Sequence, residues 1–524
     1  MTATTEIPPR NLSDDLPEFE DEPRRRLSFF RVVIAIVLIG AAGYGAFLVG
    51  RSRISNLGSV PGTWFAPYVD VTLTPNYQFQ LPANDPARQT VLSFVVSQPN
   101  SGCTPSWGGA YSLAQADQSL NMDSRIAQIR GEGGTPIVSF GGQKHTSLQV
   151  SCTNQSALTS AFATVIGRYH LTTIDLDVEG SALDNYAANR RLATAMASLE
   201  ATHKNLAVWL TVPVETSGLQ NNAQSLVTTM LRGHVSIAGV NILAMDFTNS
   251  TPNLNMLGAV EQALTSTHRQ LGGLFAQYGI RLHSKVLWNR MGATVMLGQN
   301  NEGNQVFTLA NASSLKSFAQ KNSLGRISMW SLNRDSQCGS SFAETGILST
   351  TCSGVAEPNL GFSKILAQLP GVVAGSASAN GVRTVAVAPD TNPADSPYPQ
   401  WVGTEPYVSG YKVVREGFIY QAKWYNQGDD PATQVQYQYE TPWLMIGPVL
   451  PGSHPPALTT LPEGTYPNWS ITQSYQAGAK VLFNQLPYEA KYDTQGASPA
   501  AEAADPPASP WQPLFNIPGE PPQD

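Results

Sequence analysis

The chain has 524 residues, of which 42% are hydrophobic and 13% are charged, with 44 glycines and 38 prolines. This length is too great for one hydrophobic core and predicts about two to four domains with loop-rich, sparsely charged surfaces. The formal net charge of −7 and the lack of a basic patch exclude a nucleic-acid ligand, because binding to a phosphate backbone requires clustered lysine and arginine.

The N-terminal region contains one long apolar segment. Residues 32–50 carry no charge and are long enough to cross the hydrocarbon core of a bilayer. Arginines flank it on both sides, at positions 24, 25, 26 and 31 before it and at 51 and 53 after it. The excess of positive charge before the segment predicts a disordered cytoplasmic tail at 1–31, a transmembrane anchor at 32–50 and an extracellular remainder in a single-pass cell-membrane protein. The alternative, a cleaved signal peptide, has a shorter apolar region.

The four cysteines all lie on the predicted outer side, where disulfides form. Four cysteines allow three pairings, and we favour Cys103 with Cys152 and Cys338 with Cys352 because these partners would fall in neighbouring loops. Their spacing is unlike that of a zinc site, so the sequence predicts neither a metal nor a cofactor.

Between residues 60 and 369, apolar β-rich runs alternate with helical stretches, as in strand-helix units around a parallel sheet. Eight runs are candidate strands, at 65–72, 91–96, 136–140, 173–178, 207–212, 239–244, 293–297 and 326–330. Eight such units predict an α/β fold of the (β/α)8 TIM barrel class, in which the C-terminal strand ends carry the active site.

Three acidic residues, Asp175, Asp177 and Glu179, stand at alternate positions along the fourth predicted strand. The two-residue period of a strand places their carboxyl groups on one face and the intervening apolar residues on the other. Burial and a like charge disfavour ionisation, so Glu179 beside Asp177 would stay protonated as an acid for a glycosidic oxygen. A solvated edge strand or a cation site is the alternative, although calcium needs more oxygen ligands than one strand supplies.

The spacing Asp175-x-Asp177-x-Glu179 at the end of a fourth strand resembles the chitinase signature of glycoside hydrolase family 18. Three further segments resemble that family in order: Ser139-Phe140-Gly141-Gly142 on strand three, Met245-Asp246-Phe247 on strand six, and Trp330 at the end of strand eight. The resemblance implies a chitinase-like glycosidase that cleaves β-1,4 linkages of N-acetylglucosamine polymers. It also implies a retaining mechanism in which the substrate's own 2-acetamido group is the nucleophile.

The same resemblance implies a role for each matched residue. Glu179 would be the proton donor, Asp177 would orient the acetamido group, and Asp175 would share a proton with Asp177. Asp246 would bind the substrate by a hydrogen bond, and Trp330 would form a hydrophobic floor under the sugar. The alternatives are that Asp246 caps a loop and that Trp330 is a core residue.

Two positions depart from the family's pattern. Thr172 and Thr173 stand where the motif begins with Asp and Gly, and Phe247 stands where the family often has tyrosine. These changes predict a weakened carboxylate relay and the loss of a hydroxyl that binds the substrate. They support an alternative function, a catalytically weak or inactive cell-surface lectin for chitin or peptidoglycan. A structural envelope protein that is anchored to wall glycan is a third possibility.

The C-terminal part repeats itself at a constant offset of 68 residues, so that Trp401 corresponds to Trp469 and Tyr407 to Tyr475. This tandem duplication predicts two small aromatic-anchored β-modules, at 401–446 and 468–516. Linkers rich in proline and glycine at 370–400 and 447–467 predict that the modules swing relative to the barrel.

The first copy resembles the chitin-binding modules of carbohydrate-binding family 5/12, in which exposed aromatic planes would stack on sugar rings. The predicted sugar-binding residues are Trp401, Tyr407 and Tyr425, and the predicted core residues are Tyr420, Trp424 and Trp443. In the second copy Tyr492 and Asp493 replace Trp424 and Tyr425, which predicts a degenerate module. The sequence leaves open chitin, peptidoglycan or an N-glycan core as the partner, and endo or exo cleavage.

Overall fold

The structure is a computed structural model, and it describes residues 60–248, 254–302, 304–339, 348–371, 396–435, 438–500 and 509–521. Every described residue belongs to one compact unit, Val60–Asp524. The predicted tail and anchor at 1–50 therefore lie outside the described residues. Within the described ranges, no helix combines the length and the apolar character needed to cross a membrane.

Among the described residues, thirteen strands belong to the first part of this unit. Their bounds are β1 Trp64–Phe65, β2 Tyr68–Asp70, β3 Gln89–Ser97, β4 Pro105–Trp107, β5 Tyr111–Ser112, β6 Thr135–Gly141, β7 Thr173–Asp177, β8 Ala207–Pro213, β9 Ile237–Leu243, β10 Met291–Met296, β11 Gly298–Gln299, β12 Val306–Phe307 and β13 Arg326–Trp330. β1 pairs with β13 and β2 pairs with β3, both in parallel. The parallel path through β3, β6, β7, β8, β9, β10 and β13 therefore closes on itself as an eight-position barrel. Seven of the eight strands predicted from the sequence are confirmed, and the eighth, predicted at 65–72, is divided into the two short strands β1 and β2.

Helices alternate with these strands along the chain. Their bounds are α1 Leu113–Leu120, α2 Met122–Gly131, α3 Leu148–Ser151, α4 Gln155–Arg168, α5 Gly180–Leu183, α6 Tyr186–Thr202, α7 Asn221–Arg232, α8 Met256–Gln277, α9 Ser284–Asn289, α10 Leu309–Asn322 and α11 Gly361–Leu366. The side chains of Asn154, Asn185 and Asn255 accept hydrogen bonds from the first turns of α4, α6 and α8. Such caps satisfy backbone N–H groups that have no partner inside the helix.

The main hydrophobic core lies between the barrel strands and these helices. Ile174, Leu176 and Val178 on and just after β7 all belong to it, as the two-residue period predicts. The alternate residues on the same strand, Asp175 and Asp177, therefore face the inside of the barrel. The alternation of β7 is what brings acidic groups to the barrel interior.

Two similar β-modules follow the barrel. The strands of the first are β14 Pro406–Tyr407, β15 Lys412–Arg415, β16 Phe418–Ala422, β17 Asn426–Gln427 and β18 Trp443–Pro448; those of the second are β19 Ser474–Tyr475, β20 Lys480–Phe483, β21 Leu486–Ala490, β22 Thr494–Gln495 and β23 Trp511–Pro513. In each module a two-stranded and a three-stranded antiparallel sheet pair in the same order. The duplication seen in the sequence is therefore present in the backbone.

Equivalent contacts hold each module together. The rings of Tyr407 and Trp443 lie 5.2 Å apart edge to face, and those of Tyr475 and Trp511 lie 5.2 Å apart in the same way. The Trp443 indole N–H donates to the backbone carbonyl of Asp429 at 2.7 Å, and Trp511 donates to the carbonyl of Ala497 at 2.8 Å. A buried indole needs such an acceptor. One such bond in each copy fixes the position of its core tryptophan.

The first module packs against the barrel and does not swing as predicted. The Asn121 side-chain amide donates to the Tyr398 hydroxyl at 2.6 Å, and the Lys412 ammonium donates to the Asn121 carbonyl oxygen at 2.6 Å. A side chain at Gly447 on β18 would come within 2.3 Å of the backbone oxygen of Ser124 on α2. The prediction was wrong for this module because a glycine allows β18 to approach the helix backbone directly.

The predicted disulfide pairing is confirmed. Cys103 is bonded to Cys152 and Cys338 to Cys352. The first disulfide joins the loop after β3 to the residue that ends α3. It therefore fixes a loop at the C-terminal ends of the barrel strands, where active sites of such barrels lie.

Candidate active site

Asp175 is the most heavily hydrogen-bonded carboxylate in the barrel interior. It accepts from the hydroxyls of Tyr68 at 2.8 Å, Ser139 at 2.7 Å and Thr211 at 2.7 Å. The guanidinium of Arg326 lies 2.6 Å from its Oδ1, and both side chains are 0% exposed. Asp175 thus faces a cation and three hydroxyl donors that come from four different strands.

Asp177 lies one step nearer the C-terminal end of β7 and has a different environment. It is 2% exposed, and its Oδ1 has no hydrogen-bond partner in the described part of the chain. Burial raises the pKa of Asp177 well above its usual range, and the nearby Glu179 and Asp175 add to this effect, whereas Arg326 opposes it. Asp177 is therefore free to form a new hydrogen bond with a ligand.

Glu179 stands just beyond β7, at the residue that precedes α5. Its backbone is extended, and its side chain is half-buried. Burial raises the pKa of Glu179 to about 7, and the charge of Asp246 adds to the shift. A partly accessible carboxyl group with this pKa can deliver a proton to a ligand near neutral pH.

Asp246 lies at the end of β9 in the left-handed region, with φ of 49°. Its two carboxylate oxygens accept hydrogen bonds from Asn301, one from the backbone N–H at 2.8 Å and one from the side-chain amide at 2.6 Å. These two hydrogen bonds hold the Asp246 carboxylate close enough for its charge to act on Glu179. The structure therefore brings Asp246 to the acidic cluster, and Asn301 is a residue that sequence reasoning missed.

Trp330 ends β13 and forms an aromatic wall with Phe94. The two half-buried rings are stacked, with centroids 5.6 Å apart and planes at 21°. The Tyr68 ring, whose hydroxyl binds Asp175, lies 6.1 Å from Trp330. The wall therefore adjoins the acidic cluster. Phe94 was missed because it is one apolar residue among several in β3 and carries no polar signal.

The departures at Thr172 and Phe247 lie away from the acidic groups. Phe247 is 1% exposed and belongs to the main hydrophobic core. Thr172 precedes β7 by one residue, so by alternation it belongs to the face of Ile174 and not to that of Asp175. Thr173, the neighbouring departure, lies on the face of Asp175 by the same alternation. That the departures weaken the site stays a prediction.

Two further polar residues lie beside the turn that holds Asp246. The amide of Gln305 accepts from the backbone N–H of Phe247 at 3.0 Å and donates to its carbonyl at 2.8 Å. Glu215, which follows β8, accepts from the Thr248 N–H at 3.3 Å, while its buried Oε2 has no hydrogen-bond partner among the described residues. Both were missed because their positions depend on the long-range pairing of β8, β9 and the β11–β12 hairpin.

The aromatic residues of the first module are arranged differently from the prediction. Tyr407, predicted to bind sugar, is 3% exposed, and its hydroxyl accepts from the Val402 N–H at 2.7 Å. Trp424, predicted to be core, is 46% exposed, and Tyr425 is 63% exposed. Trp401 is half-buried. The prediction for Tyr407 was wrong because its ring packs against Trp443, leaving no free face for a sugar.

No group of three or more histidine, cysteine, aspartate or glutamate side chains within the described ranges could hold a metal ion. The site therefore consists of carboxyl groups, hydroxyls, one buried guanidinium and aromatic rings. A proton donor beside an unpartnered carboxyl group and an aromatic wall is an arrangement suited to binding and cleaving a sugar chain.

Two curated proteins are similar in sequence, whereas no protein-family model matches the chain. The chain is 30% identical over 283 residues to the probable bifunctional chitinase/lysozyme of Escherichia coli (strain K12), covering 52% of this chain and 31% of that protein. It is 30% identical over 284 residues to Endochitinase 11 of Metarhizium anisopliae, covering 52% of each. The chain thus spans about a third and about half of the lengths of these relatives.

Solved structures share the fold of the barrel. The catalytic domain of a hyperthermophilic chitinase from Pyrococcus furiosus aligns with a TM-score of 0.51 at 23% identity, covering 59% of this chain and 95% of that domain. Catalytic-site mutants of active domain 2 of the thermostable chitinase of that organism, complexed with chito-oligosaccharides, align with the same TM-score and identity. At this level of identity, the similarity shows the fold alone. The barrel of this chain therefore has the α/β fold of a chitinase catalytic domain, with a parallel central sheet.

Proposed function

We propose that the protein is a chitinase-like glycoside hydrolase that cleaves β-1,4 linkages between N-acetylglucosamine residues. One observation carries the proposal: Glu179, with its raised pKa, lies next to Asp177, whose buried Oδ1 has no partner among the described residues. The sequence similarity to two chitinases and the barrel fold support the same reaction class.

In the proposed reaction, Glu179 donates its proton to the glycosidic oxygen as the bond to the leaving sugar breaks. The raised pKa keeps this carboxyl group protonated up to about neutral pH. After the leaving group departs, the ionised Glu179 accepts a proton from the water that attacks the intermediate, which restores the acid.

Asp177 is proposed to bind the 2-acetamido N–H of the substrate. Its free Oδ1 would accept this hydrogen bond and would stabilise the positive charge of the oxazolinium intermediate. The acetamido carbonyl is then the nucleophile, and the product retains its configuration. Asp175 lies next to Asp177 on the side away from the C-terminal end of β7, where four donors hold its carboxylate, and it does not contact the substrate.

The wall formed by Trp330 and Phe94 is proposed to support the sugar that undergoes cleavage. A sugar ring has an apolar C–H face that stacks on an aromatic plane. Asp246 is proposed to hydrogen-bond a substrate hydroxyl, since Asn301 holds its carboxylate in a fixed orientation.

The C-terminal modules are proposed to hold the polysaccharide near the barrel. Trp424 and Tyr425 form an exposed aromatic pair in the first module, and Tyr492 is exposed at the equivalent position of the second. Binding through aromatic planes does not depend on charge, which suits a neutral polymer. The second module would bind less well because Asp493 replaces Tyr425.

A membrane anchor at residues 32–50, with the barrel outside the cell, is proposed from the sequence alone. The full chain should remain in the membrane fraction after a high-salt wash and should be degraded by protease added to intact cells. Recovery of the full chain in the soluble fraction would contradict this arrangement.

The activity is tested with a fluorogenic chitooligosaccharide and the full chain. Glu179→Gln keeps the size of the side chain and removes the proton donor, so turnover should fall by a factor of about 100 or more, while affinity for the oligosaccharide is retained. Glu463→Gln is the matched control, because Glu463 is exposed in a loop far along the chain and should leave turnover unchanged.

Three outcomes separate the alternatives. Turnover by the parent that collapses only in Glu179→Gln supports the enzyme and its acid. Binding without turnover in all three proteins would support the lectin alternative. Turnover that is equal in all three proteins would exclude Glu179 as the proton donor.

A further inference from the structure

Arg326 is a buried cation in the middle of the barrel, and no step of the proposed reaction uses it. It lies at the start of β13, four residues before Trp330. Its guanidinium donates to Asp175 at 2.6 Å, to the Ser328 hydroxyl at 2.7 Å and to the Tyr68 hydroxyl at 3.1 Å. A buried charge is costly unless it is paired and hydrogen-bonded, as Arg326 is.

Aromatic rings surround the guanidinium of Arg326. The guanidinium carbon lies 5.4 Å from the ring centre of Trp64, 5.5 Å from that of Tyr68 and 5.7 Å from that of Trp209. Aromatic faces attract a cation, most strongly where water is excluded. Gly292 leaves room for it, because a Cβ at this position would lie 3.0 Å from the Arg326 Cβ.

Asp175 has no acceptor capacity left for Asp177. A carboxylate offers about four lone-pair sites, and Tyr68, Ser139, Thr211 and Arg326 donate to it. Because the charge of Asp175 is balanced by Arg326, the pair contributes little net charge to its surroundings. Asp177 therefore lies next to a neutral ion pair instead of an isolated anion.

The elements packed around this pair contribute few other charges. Among the described residues, the ionisable groups that act on it or on Asp177 are Tyr68 of β2, Asp175 and Asp177 of β7, and Glu179. The interior residues of β6, β8, β9 and β10 that take part in the network are neutral: Ser139, Thr211, Asn241 and Thr294. Asp246 acts on Glu179 from the end of β9.

We propose that Arg326 is a positioning residue that neutralises Asp175 and so allows Asp177 to be ionised while Glu179 keeps the catalytic proton. This inference rests on the proposed function. The reaction needs Asp177 as an anion to accept the acetamido N–H, and it needs Glu179 as an acid. Without Arg326 two adjacent buried anions would repel each other, and a further proton would bind to one of them.

Charge variants of the Arg326–Asp175 pair test this role, because removing the cation and removing the anion should shift the pH profile in opposite directions. Asp177 and Glu179 interact and titrate as a pair, so the acidic limb of the pH profile of kcat/KM reports loss of the first proton from this pair and the basic limb reports loss of the second. Arg326→Gln should move the acidic limb to higher pH by about one unit, because an opposing cation is removed. Asp175→Asn should move it to lower pH, because the cation is left unbalanced. The basic limb should stay at nearly the same pH in both variants.

The double variant Arg326→Gln/Asp175→Asn is the matched control, since it removes both charges and restores local neutrality. Its acidic limb should return close to that of the parent. Arg326→Lys keeps the charge but loses the forked geometry, so kcat should fall while the acidic limb stays in place. A fall in activity that is equal at every pH in Arg326→Gln would indicate a merely structural role and would overturn the proposal.

A second readout does not require activity. In the full chain labelled with ¹³C at aspartate carboxyl groups, the Asp177 resonance is identified by its loss in Asp177→Asn, and its titration is followed by NMR. Its midpoint should rise in Arg326→Gln and return in the double variant, which retains no unpaired buried charge and should fold even if the single variant does not. Unmoved midpoints would refute the role of Arg326, whereas moved midpoints without turnover would refute only the proposed function.

Discussion

Asn301 holds both carboxylate oxygens of Asp246, with its backbone N–H at 2.8 Å from one and its side-chain amide at 2.6 Å from the other. These two bonds, from the turn between β11 and β12 to a residue three positions after β9, fix the orientation of a charge that acts on Glu179. The pKa of Glu179, the proposed proton donor, is therefore raised in part by a carboxylate that follows a strand two positions away in the barrel.

Replacement of Asp246 by asparagine should lower the pKa of Glu179, because a negative charge that raises this pKa is removed. Glu179 must be protonated to act as an acid, so the basic limb of the pH profile of kcat/KM should move to lower pH. The measurement is the pH profile on a chitooligosaccharide, and Asp184→Asn on the surface is the control. A basic limb that stays in place would show that Asp246 does not act on Glu179.

Glu179 should reduce the stability of the folded protein at neutral and alkaline pH. Its pKa is about 7 in the folded state and near 4.5 when exposed, so the folded state binds more protons and unfolding free energy falls as pH rises between these values. Glu179→Gln should therefore be more stable than the parent at pH 8 by about 2–3 kcal/mol and equally stable near pH 4. Urea unfolding at both pH values measures this, and an equal difference at both would contradict it.

The exposed aromatic residues of the first module should contribute to binding and not to folding. Trp424→Ala and Tyr425→Ala should each weaken retention on insoluble chitin without changing the thermal unfolding of the protein, since neither ring is in a core. Trp443→Ala should instead destabilise the module by about 3–5 kcal/mol, because its ring is fully buried. Chitin binding that is unchanged in the first two variants would exclude this surface as a binding site.

Gly447→Ala should weaken the contact between the first module and the barrel. The added Cβ would approach the backbone oxygen of Ser124 to 2.3 Å, which neither backbone can accommodate without moving. Gly273→Ala in α8 is the matched control, because no atom lies within 4 Å of its added Cβ and alanine favours helix. Small-angle scattering should show a larger radius of gyration only in Gly447→Ala. Equal radii in both variants would contradict the contact.

The barrel could be predicted from the sequence because strand and helix periods repeat through it. The alternation at Asp175, Asp177 and Glu179 was enough to place three acidic groups on one face, and the structure agrees. Arg326 could not be predicted as their partner, because it lies 151 residues away from Asp175 and reaches it only when β13 and β7 face each other across the closed barrel. Single-residue spacing carries no information about such contacts.

Exposure in the first module was harder to predict than its fold. Trp424 and Tyr407 are both aromatic residues in a short β-rich sequence, and nothing in the pattern shows which of them Trp443 will contact. The linker composition was also misleading, because flexible composition does not exclude a specific contact such as that of Gly447 with α2. Both errors concern packing between segments that are distant in sequence.

The indole bonds of Trp443 and Trp511 have a consequence for how the two modules evolve. Each bond ends on a main-chain carbonyl, at Asp429 in one copy and at Ala497 in the other. The acceptor therefore survives any substitution of the side chain at that position, provided that the backbone keeps its path. Each copy can therefore exchange its surface residues without loss of its core, so the surfaces of the two copies can diverge while their folds stay the same.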